Sequence, residues 1–367
     1  MSYCLNPNCP NPQNSGTINF CVSCGAKLLL RERYRAIKPI GQGGFGKTFL
    51  AIDEDKPSKP RCVIKQFFPL VQGTSNTQKA AELFNQEAVQ LDELGKHPQI
   101  PELLAYFTQD NQQYLIQEFI DGQTLSQELN QKGAFNETQI RQLLSDLLPI
   151  LQFVHSRQVI HRDIKPDNII RRTSDNKVFL VDFGAAKTTA GTALQKTGTS
   201  IGSPEYVAPE QSRGRAVFAS DIYSLGVTCI HLLTAMSPFD LYNLEEDTWI
   251  WRRFVQQPIS NSLASILDKM LENAINKRYQ SATEVLQDLK LPISTTPSQP
   301  PVKNPLPAPS INTNPINKSA TTQVDRELEE LRSQFLGTGS SKNQIDLELD
   351  EVKSQFDPKA PKKQPGS

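Results

Sequence analysis

The sequence predicts an α+β fold in two parts, a smaller one rich in strands followed by a larger one built of helices. Two observations carry that expectation. Within residues 34–119, the segments 48–52, 61–68, 103–108 and 113–119 read as short strands, with a single helical pattern interposed over 75–95. Beyond Asn136, apolar residues keep helical spacing over 140–154, and after an apolar strand at 178–181 and a Thr-rich stretch a further helix is expected from Ser220-Asp221. A third observation marks the flanks: cysteines crowd residues 1–30, and Pro, Ser, Asn and Thr dominate residues 292–321.

Composition narrows the function classes. The 367 residues exceed one ordinary domain, and 26 prolines against 19 glycines point to linker in part of the chain. Lys+Arg and Asp+Glu both number 39, so no global field recruits nucleic acid or an anionic membrane. No apolar run approaches the roughly 20 residues of a membrane span, and no basic-then-apolar signal opens the chain. A soluble cytoplasmic protein is expected.

Four of the six cysteines fall in residues 1–30. Cys21 and Cys24 form a two-residue knuckle followed by Gly25, and Cys4 and Cys9 a looser pair, the spacing of a tetrahedral zinc site resembling a zinc ribbon. So short a segment cannot bury a core, so metal would supply its folding energy. The competing reading is a dithiol pair that oxidises as a switch. Cys62 and Cys229, in apolar surroundings, are expected to be small core residues.

Residues 159–184 concentrate the chemistry. Asp163, Lys165 and Asn168 lie in the run HRDIKPDN, and Asp182 ends an apolar strand at 178–181. Moving a γ-phosphoryl group gathers negative charge, which calls for bound Mg²⁺ (or Mn²⁺ in its place), a cation near the moving group and an acceptor for the nucleophile's proton. Asp182 and Asn168 offer hard oxygen ligands to the metal, Asp163 a proton acceptor and Lys165 the cation. Taken singly, any of these could be a turn residue. Four in this order are not four turns.

HRDIKPDN followed by Asp182-Phe183-Gly184 resembles the catalytic loop and metal-binding motif of the protein kinase family, and the lysine two residues after Asp163 resembles its Ser/Thr branch. The resemblance covers about 260 residues from Arg33 and implies the bilobal kinase fold over 34–291, binding ATP between lobes. It implies a Ser/Thr kinase acting on protein substrates in signalling and phosphorylating its own hydroxyls as well. Two other classes remain open: a nucleotide-binding scaffold acting through its tail with little turnover, and a small-molecule phosphotransferase of related fold. The latter gives no reason for Lys165 or the Ala208-Pro209-Glu210 motif.

Element by element, Ile40-Gly41-Gln42-Gly43-Gly44-Phe45-Gly46-Lys47-Thr48 resembles the glycine-rich phosphate loop, followed by a strand rather than the helix of dinucleotide-binding folds. Glycines there let backbone approach phosphates closely. Val63 and Lys65 on the next strand resemble the positions that cover the base and hold the α- and β-phosphates. In 75–95, Phe84, Ala88 and Leu91 form a stripe that turns Glu87 inward, which is costly without a cation. Lys65 is the expected partner. Gly95 and Pro98 end that helix, and His97 is expected to be a structural loop residue.

Glu118 and Ile120 resemble the hinge whose backbone bonds adenine, Gln117 falls at the gatekeeper position, and Ile170 is assigned to the nucleotide pocket. Asn136 with Gln139 resembles a capping box opening a long helix, bent at Pro149 at a cost of about 3 kcal/mol in a regular interior.

The Thr- and Ser-rich segment after Gly184 resembles an activation segment, with Thr197, Thr199 and Ser200 as phosphoacceptors and Arg162 as the phosphate's ligand. By the same resemblance Ser203 contacts Asp163 and Lys165, and Glu210 pairs with Arg278. Asp221 is either an N-cap or the anchor of the catalytic-loop backbone. Trp249 and Trp251 are expected to pack.

After the linker, residues 325–335 (DRELEELRSQF) repeat as 346–356 (DLELDEVKSQF), within a tail over 322–357 that precedes a disordered end, 358–367. Each is a short amphipathic helix with acids first, suited to folding on a partner or on the kinase itself; an inert duplicated tail is the alternative.

Overall fold

The structure, a computed structural model, describes residues 1–16, 18–43, 46–67, 74–184, 187–188 and 203–290. Gly44, Phe45, Thr197, Thr199, Ser200, the linker and both tail repeats lie outside them.

Three short strands open the chain: β1 (Ser2–Tyr3), β2 (Gln13–Asn14) and β3 (Leu29–Leu30). Then come β4 (Tyr34–Gly43), β5 (Gly46–Asp53), β6 (Arg61–Phe67), α1 (Thr74–Leu94), β7 (Leu103–Gln109) and β8 (Gln112–Glu118). The strands β3-β4-β5-β6-β8-β7 form one antiparallel sheet of six. Gly95, at φ +63°, ends α1 where a residue with Cβ would be strained.

Alternation along β6 assigns its two faces. Val63, Lys65 and Phe67 point toward α1, where Phe67 meets the Phe84 ring at 5.5 Å. Cys62, Ile64 and Gln66 point the other way. That second face, with Phe49, Ala51, Ile64 and Ile116, would ordinarily be the solvated side of an antiparallel sheet. Here Leu5, Leu30 and the partly buried Tyr3 cover it, and Ile64 and Ile116 are fully buried. The N-terminal segment is therefore a lid on the sheet, although its length suggested a free-standing metal module.

The larger part begins with β9 (Gly122–Thr124) and α2 (Leu125–Lys132), followed by α3 (Glu137–Ser156), β10 (Val159–Ile160), β11 (Ile169–Arg172), β12 (Val178–Leu180) and β13 (Lys187–Thr188). Four helices follow, α4 (Pro209–Ser212), α5 (Phe218–Thr234), α6 (Asn261–Met270) and α7 (Ala282–Lys290). The capping box at Asn136 and Gln139 is present, and α3 runs through Pro149 as one element. Ile140, Leu143, Leu144, Leu147, Leu151 and Val154 of α3 are buried with the apolar face of α5. This core continues through Leu115, Leu94 and Phe84 and so ties the two lobes together.

Helix α5 begins at Phe218, with the Ser220 hydroxyl accepting from the Val217 N–H at 3.0 Å. Asp221 is thus a helical residue, and the N-cap reading of it falls. Trp251 is fully buried, its indole donating to Asp268 at 3.0 Å, and His97 lies against the Phe153 ring at 4.5 Å, so both are packing residues. Cys62 and Cys229 are buried, and burial pushes the Cys62 thiol up to about 12.

Candidate active site

The loop between β10 and β11 is held from beneath by one buried carboxylate. Asp221 Oδ2 accepts the His161 N–H at 2.9 Å and bonds His155 Nε2 at 2.8 Å, and Oδ1 accepts the Arg162 N–H at 2.8 Å. Burial alone would raise the Asp221 carboxyl, but the His155 and backbone bonds bring it below its ordinary value. Those bonds keep Arg162 in the left-handed region at φ +71°, a conformation that persists only where its surroundings over-determine it. Gln211 adds a bond to the Arg162 carbonyl at 2.6 Å.

With the backbone fixed, the side chains converge. Asp163 Oδ1 accepts from the backbone N–H and the hydroxyl of Ser203, both at 3.0 Å. Its Oδ2 takes the Asn168 amide at 2.9 Å and the Lys165 ammonium at 2.9 Å. Lys165 also donates to the Ser203 hydroxyl at 2.6 Å. Asn168 spends its amide nitrogen on Asp163, carbonyl and carboxylate alike, so its Oδ1 is the atom available to a cation.

Across the cleft, Lys65 of β6 reaches two carboxylates. It pairs with Glu87 of α1, which is buried, and with Asp182 Oδ1 at 3.0 Å. Burial would lower the Lys65 ammonium, but Asp182 and Glu87 together hold it above its ordinary value. In return the Lys65 charge draws the Asp182 carboxyl down to about 2. Asp182 adopts φ +66°, and Gly184 N–H also bonds its Oδ1 at 3.4 Å, which leaves Oδ2 toward the cleft, where the side chain is 47 % exposed.

Most of the remaining nucleotide candidates lie on the same sheet, while Ile120 follows it and Ile170 lies on the three-stranded sheet β12-β11-β9. Ile40, Gly41, Gln42 and Gly43 end β4, and Gly46, Lys47 and Thr48 begin β5, in register Gly43 to Gly46, Gln42 to Lys47 and Gly41 to Thr48. Register shifts after Ala36 and Pro39 bend this hairpin. Thr48 lies opposite Lys65, and Val63 lies opposite Gln117. Glu118 closes β8, its N–H bonded to the Glu102 carbonyl at 2.9 Å; Ile120 is buried, and Ile170 sits on β11 against Thr124.

Two arginines differ. Arg278 is fully buried and forks onto Glu210 at 2.7 and 3.2 Å, with Ser220 donating to the same carboxylate at 2.6 Å. Arg162 is also buried, yet its Nε has no partner among the described residues, and burial pushes its guanidinium down. An unpaired buried guanidinium is a ready anion ligand.

The sequence reading missed His161. Fully buried, it packs edge-on against Phe183 at 4.7 Å, accepts the Asp163 N–H on Nδ1 at 3.3 Å and leaves Nε2 to donate to the Val181 carbonyl at 3.2 Å. It thereby links the two motifs that flank the cleft. Its place between an apolar strand and Arg162 was the available signal.

A second cluster lies in the N-terminal lid. The sulfurs of Cys4, Cys9, Cys21 and Cys24 lie within 4.8 Å of one another, with Cys4 to Cys24 and Cys9 to Cys21 both at 3.6 Å. A disulfide needs about 2.05 Å, whereas a tetrahedron with metal–sulfur bonds of about 2.3 Å spaces sulfurs about 3.8 Å apart. All four are free thiols. Burial would raise the Cys21 thiol, but the backbone N–H groups of Cys24 and Ser23 and the Asn14 amide bring it down to about 6. The donor set fits a thiophilic dication.

Comparison with known proteins agrees with this geometry. The protein kinase domain family model matches residues 34–289. Serine/threonine-protein kinase B of Synechocystis sp. is 44 % identical over 303 residues, 80 % of this chain and 52 % of that protein. Serine/threonine-protein kinase PknA of Nostoc sp. is 43 % identical over 284 residues, 76 % of this chain and 50 % of its own length. The chain thus spans about half the length of these two relatives. It covers 76 % of serine/threonine-protein kinase F of Synechocystis sp., at 39 % identity over 382 residues and 92 % of this chain. The chain belongs to the protein kinase family and carries a protein kinase domain over residues 34–289.

Proposed function

We propose that the protein transfers the γ-phosphoryl group of ATP to serine or threonine hydroxyls of proteins, its own included. The observation that carries this reading is Lys65 bridging Glu87 and Asp182, which joins strand, helix and metal-binding motif as phosphoryl transfer requires. Lys65 holds the nucleotide's phosphates under the glycine-rich hairpin, and the backbone of Glu118 and Ile120 takes the adenine. Asn168 Oδ1 and Asp182 Oδ2 are the ligands for Mg²⁺, which when bound neutralises phosphate charge. Asp163 orients the attacking hydroxyl and accepts its proton; one Ser203 or Lys165 contact to the carboxylate yields to that hydroxyl as it enters. Lys165 then faces the transferring group.

Thr197, Thr199 and Ser200 are the proposed phosphoacceptors, with the unpaired Arg162 as their ligand. Cys4, Cys9, Cys21 and Cys24 are the proposed zinc ligands in a closed structural site, where the ion supplies folding energy rather than chemistry. Among the described residues no helix is long and apolar enough to cross a membrane, in keeping with the cytoplasmic setting we propose. The repeats at 325–335 and 346–356 are proposed ligands of a protein partner or of the kinase itself.

The test is transfer of labelled γ-phosphate to the protein and to a generic basic protein. Asp163→Asn is expected to lower the rate about 10³-fold while ATP binding persists, the scale of a lost general base. Equal labelling by the variant would remove Asp163 from the mechanism, and ATP binding without labelling by the wild type would leave a scaffold.

A further inference from the structure

The strand that presents Lys65 to the cleft presents its neighbour, Gln66, to the opposite face. Gln66 is 2 % exposed, and its amide donates to the Leu5 carbonyl at 2.8 Å and to the Tyr114 hydroxyl at 3.4 Å. Leu5 directly follows Cys4 and is itself buried in the sheet's outer core. A second tie leaves β4, the strand that runs into the glycine-rich hairpin. Arg35, 2 % exposed, donates through Nη1 to the Ile18 carbonyl at 2.7 Å and to the Ser2 hydroxyl at 3.0 Å, while its Nε pairs with Glu54 at 2.6 Å. Between the two ties, Tyr3 stacks obliquely on Phe49 of β5 at 5.5 Å. The lid is thus bonded through Gln66 to the back of β6, whose front is proposed to hold the phosphates, and through Arg35 to β4, which runs into the glycine-rich hairpin.

We propose that Gln66 and Arg35 are positioning residues for ATP binding, and that the four-cysteine lid sets β4 and β6 through them, so that metal at the cysteines and nucleotide in the cleft bind cooperatively. This rests on the assignment of the cleft to ATP and of the cysteines to a metal. The physical basis is that the Leu5 carbonyl, next to a ligand, keeps its place only while the Cys4 loop is folded around the ion. If that loop opens, Gln66 loses the shorter of its two hydrogen bonds, the apolar outer face is uncovered and Lys65 is held less firmly in register. Coupling between two binding sites is reciprocal, so it can be read from either side.

The experiment uses the full chain and measures binding rather than turnover. Zinc retention against a zinc-selective chelator is titrated with and without Mg²⁺·ATP, and ATP affinity is measured for zinc-loaded and zinc-stripped protein. Each ligand is expected to tighten the other about fivefold, the lower end of typical coupling. Gln66→Met is expected to weaken ATP binding of the loaded protein by a similar factor, retain zinc and abolish the coupling. Arg35→Lys, which keeps a charge beside Glu54, is expected to act in the same direction and serves if the first variant does not fold. Unchanged zinc retention with ATP, or a Gln66→Met effect that survives zinc removal undiminished, overturns the proposal. Protein that couples zinc to ATP but transfers no phosphate retires the kinase reading and leaves this one standing; protein that transfers phosphate without coupling does the reverse.

Discussion

The catalytic loop and the four-cysteine lid are both short and carry little regular structure, yet they are held in opposite ways. Around Asp163 the protein supplies the partners itself: Asp221, His161, Asn168 and Ser203 fill the polar positions of the loop. Among the described residues, the four sulfurs of the lid meet one another, the Asn6 and Asn14 amides and nearby backbone. A hydrogen-bonded network in a buried setting preorganises a site before any ligand arrives, whereas a thiol cluster awaits its ion. The difference teaches which site should survive isolation from ligands.

The largest way to break the first region is to remove its anchor. Asp221→Ala leaves the His161 and Arg162 N–H groups and His155 without their acceptor, a loss of roughly 3 kcal/mol or more in urea unfolding. A loss under about 1 kcal/mol would show the loop to be held elsewhere. Next comes the lid, where Leu5→Ala empties a buried site beneath the sheet and is expected to cost about 2–3 kcal/mol. The same substitution in zinc-stripped protein should cost less, since the lid is then already loosened; equal costs would make the lid independent of metal.

The smallest effect is on pH. Burial holds the His161 and His231 imidazoles below their ordinary 6.5, so both are neutral in the folded protein near neutrality. The unfolded chain takes up those protons as pH falls through 6.5 while the folded chain resists, so stability is full above that value and declines below it, by at most about 1.4 kcal/mol per proton per pH unit. Asp221 and Glu210 lie below their ordinary 3.8 and 4.5, so their contribution is present above those values and is lost as pH falls further. Unfolding free energies from about pH 7.5 to 5 check the first window. A flat profile there would contradict neutral buried imidazoles.

Much of the site was legible because its logic is local. Asp163, Lys165 and Asn168 sit within six residues, and helical periodicity alone turned Glu87 inward and demanded a cation. Resemblance supplied the longer links, from Asp163 to Ser203 and from Glu210 to Arg278, and the structure brings both together. Asp221 remained open between a helix cap and an anchor, since a carboxylate near a helix start serves either role by spacing alone. Its three bonds to residues about 60 positions earlier decided the matter.

What stayed hidden was the back of the sheet. Gln66 lies on a face that antiparallel sheets often give to solvent, Arg35 is a charged residue near the sheet edge, and nothing local in the sequence marks either as buried. Their partners, Leu5 and Ile18, lie 61 and 17 positions away in a segment with its own reading as a metal module. The sequence by itself, through its periodicity and the family resemblance of its motifs, determined the two-lobed α+β plan, the candidate residues for phosphoryl transfer and the cysteine spacing, because periodicity and motif spacing are short-range properties of the chain. Only the tertiary structure decided that the cysteine segment covers the sheet and ties to the strand of Lys65, because burial of a face is set by whatever packs on it.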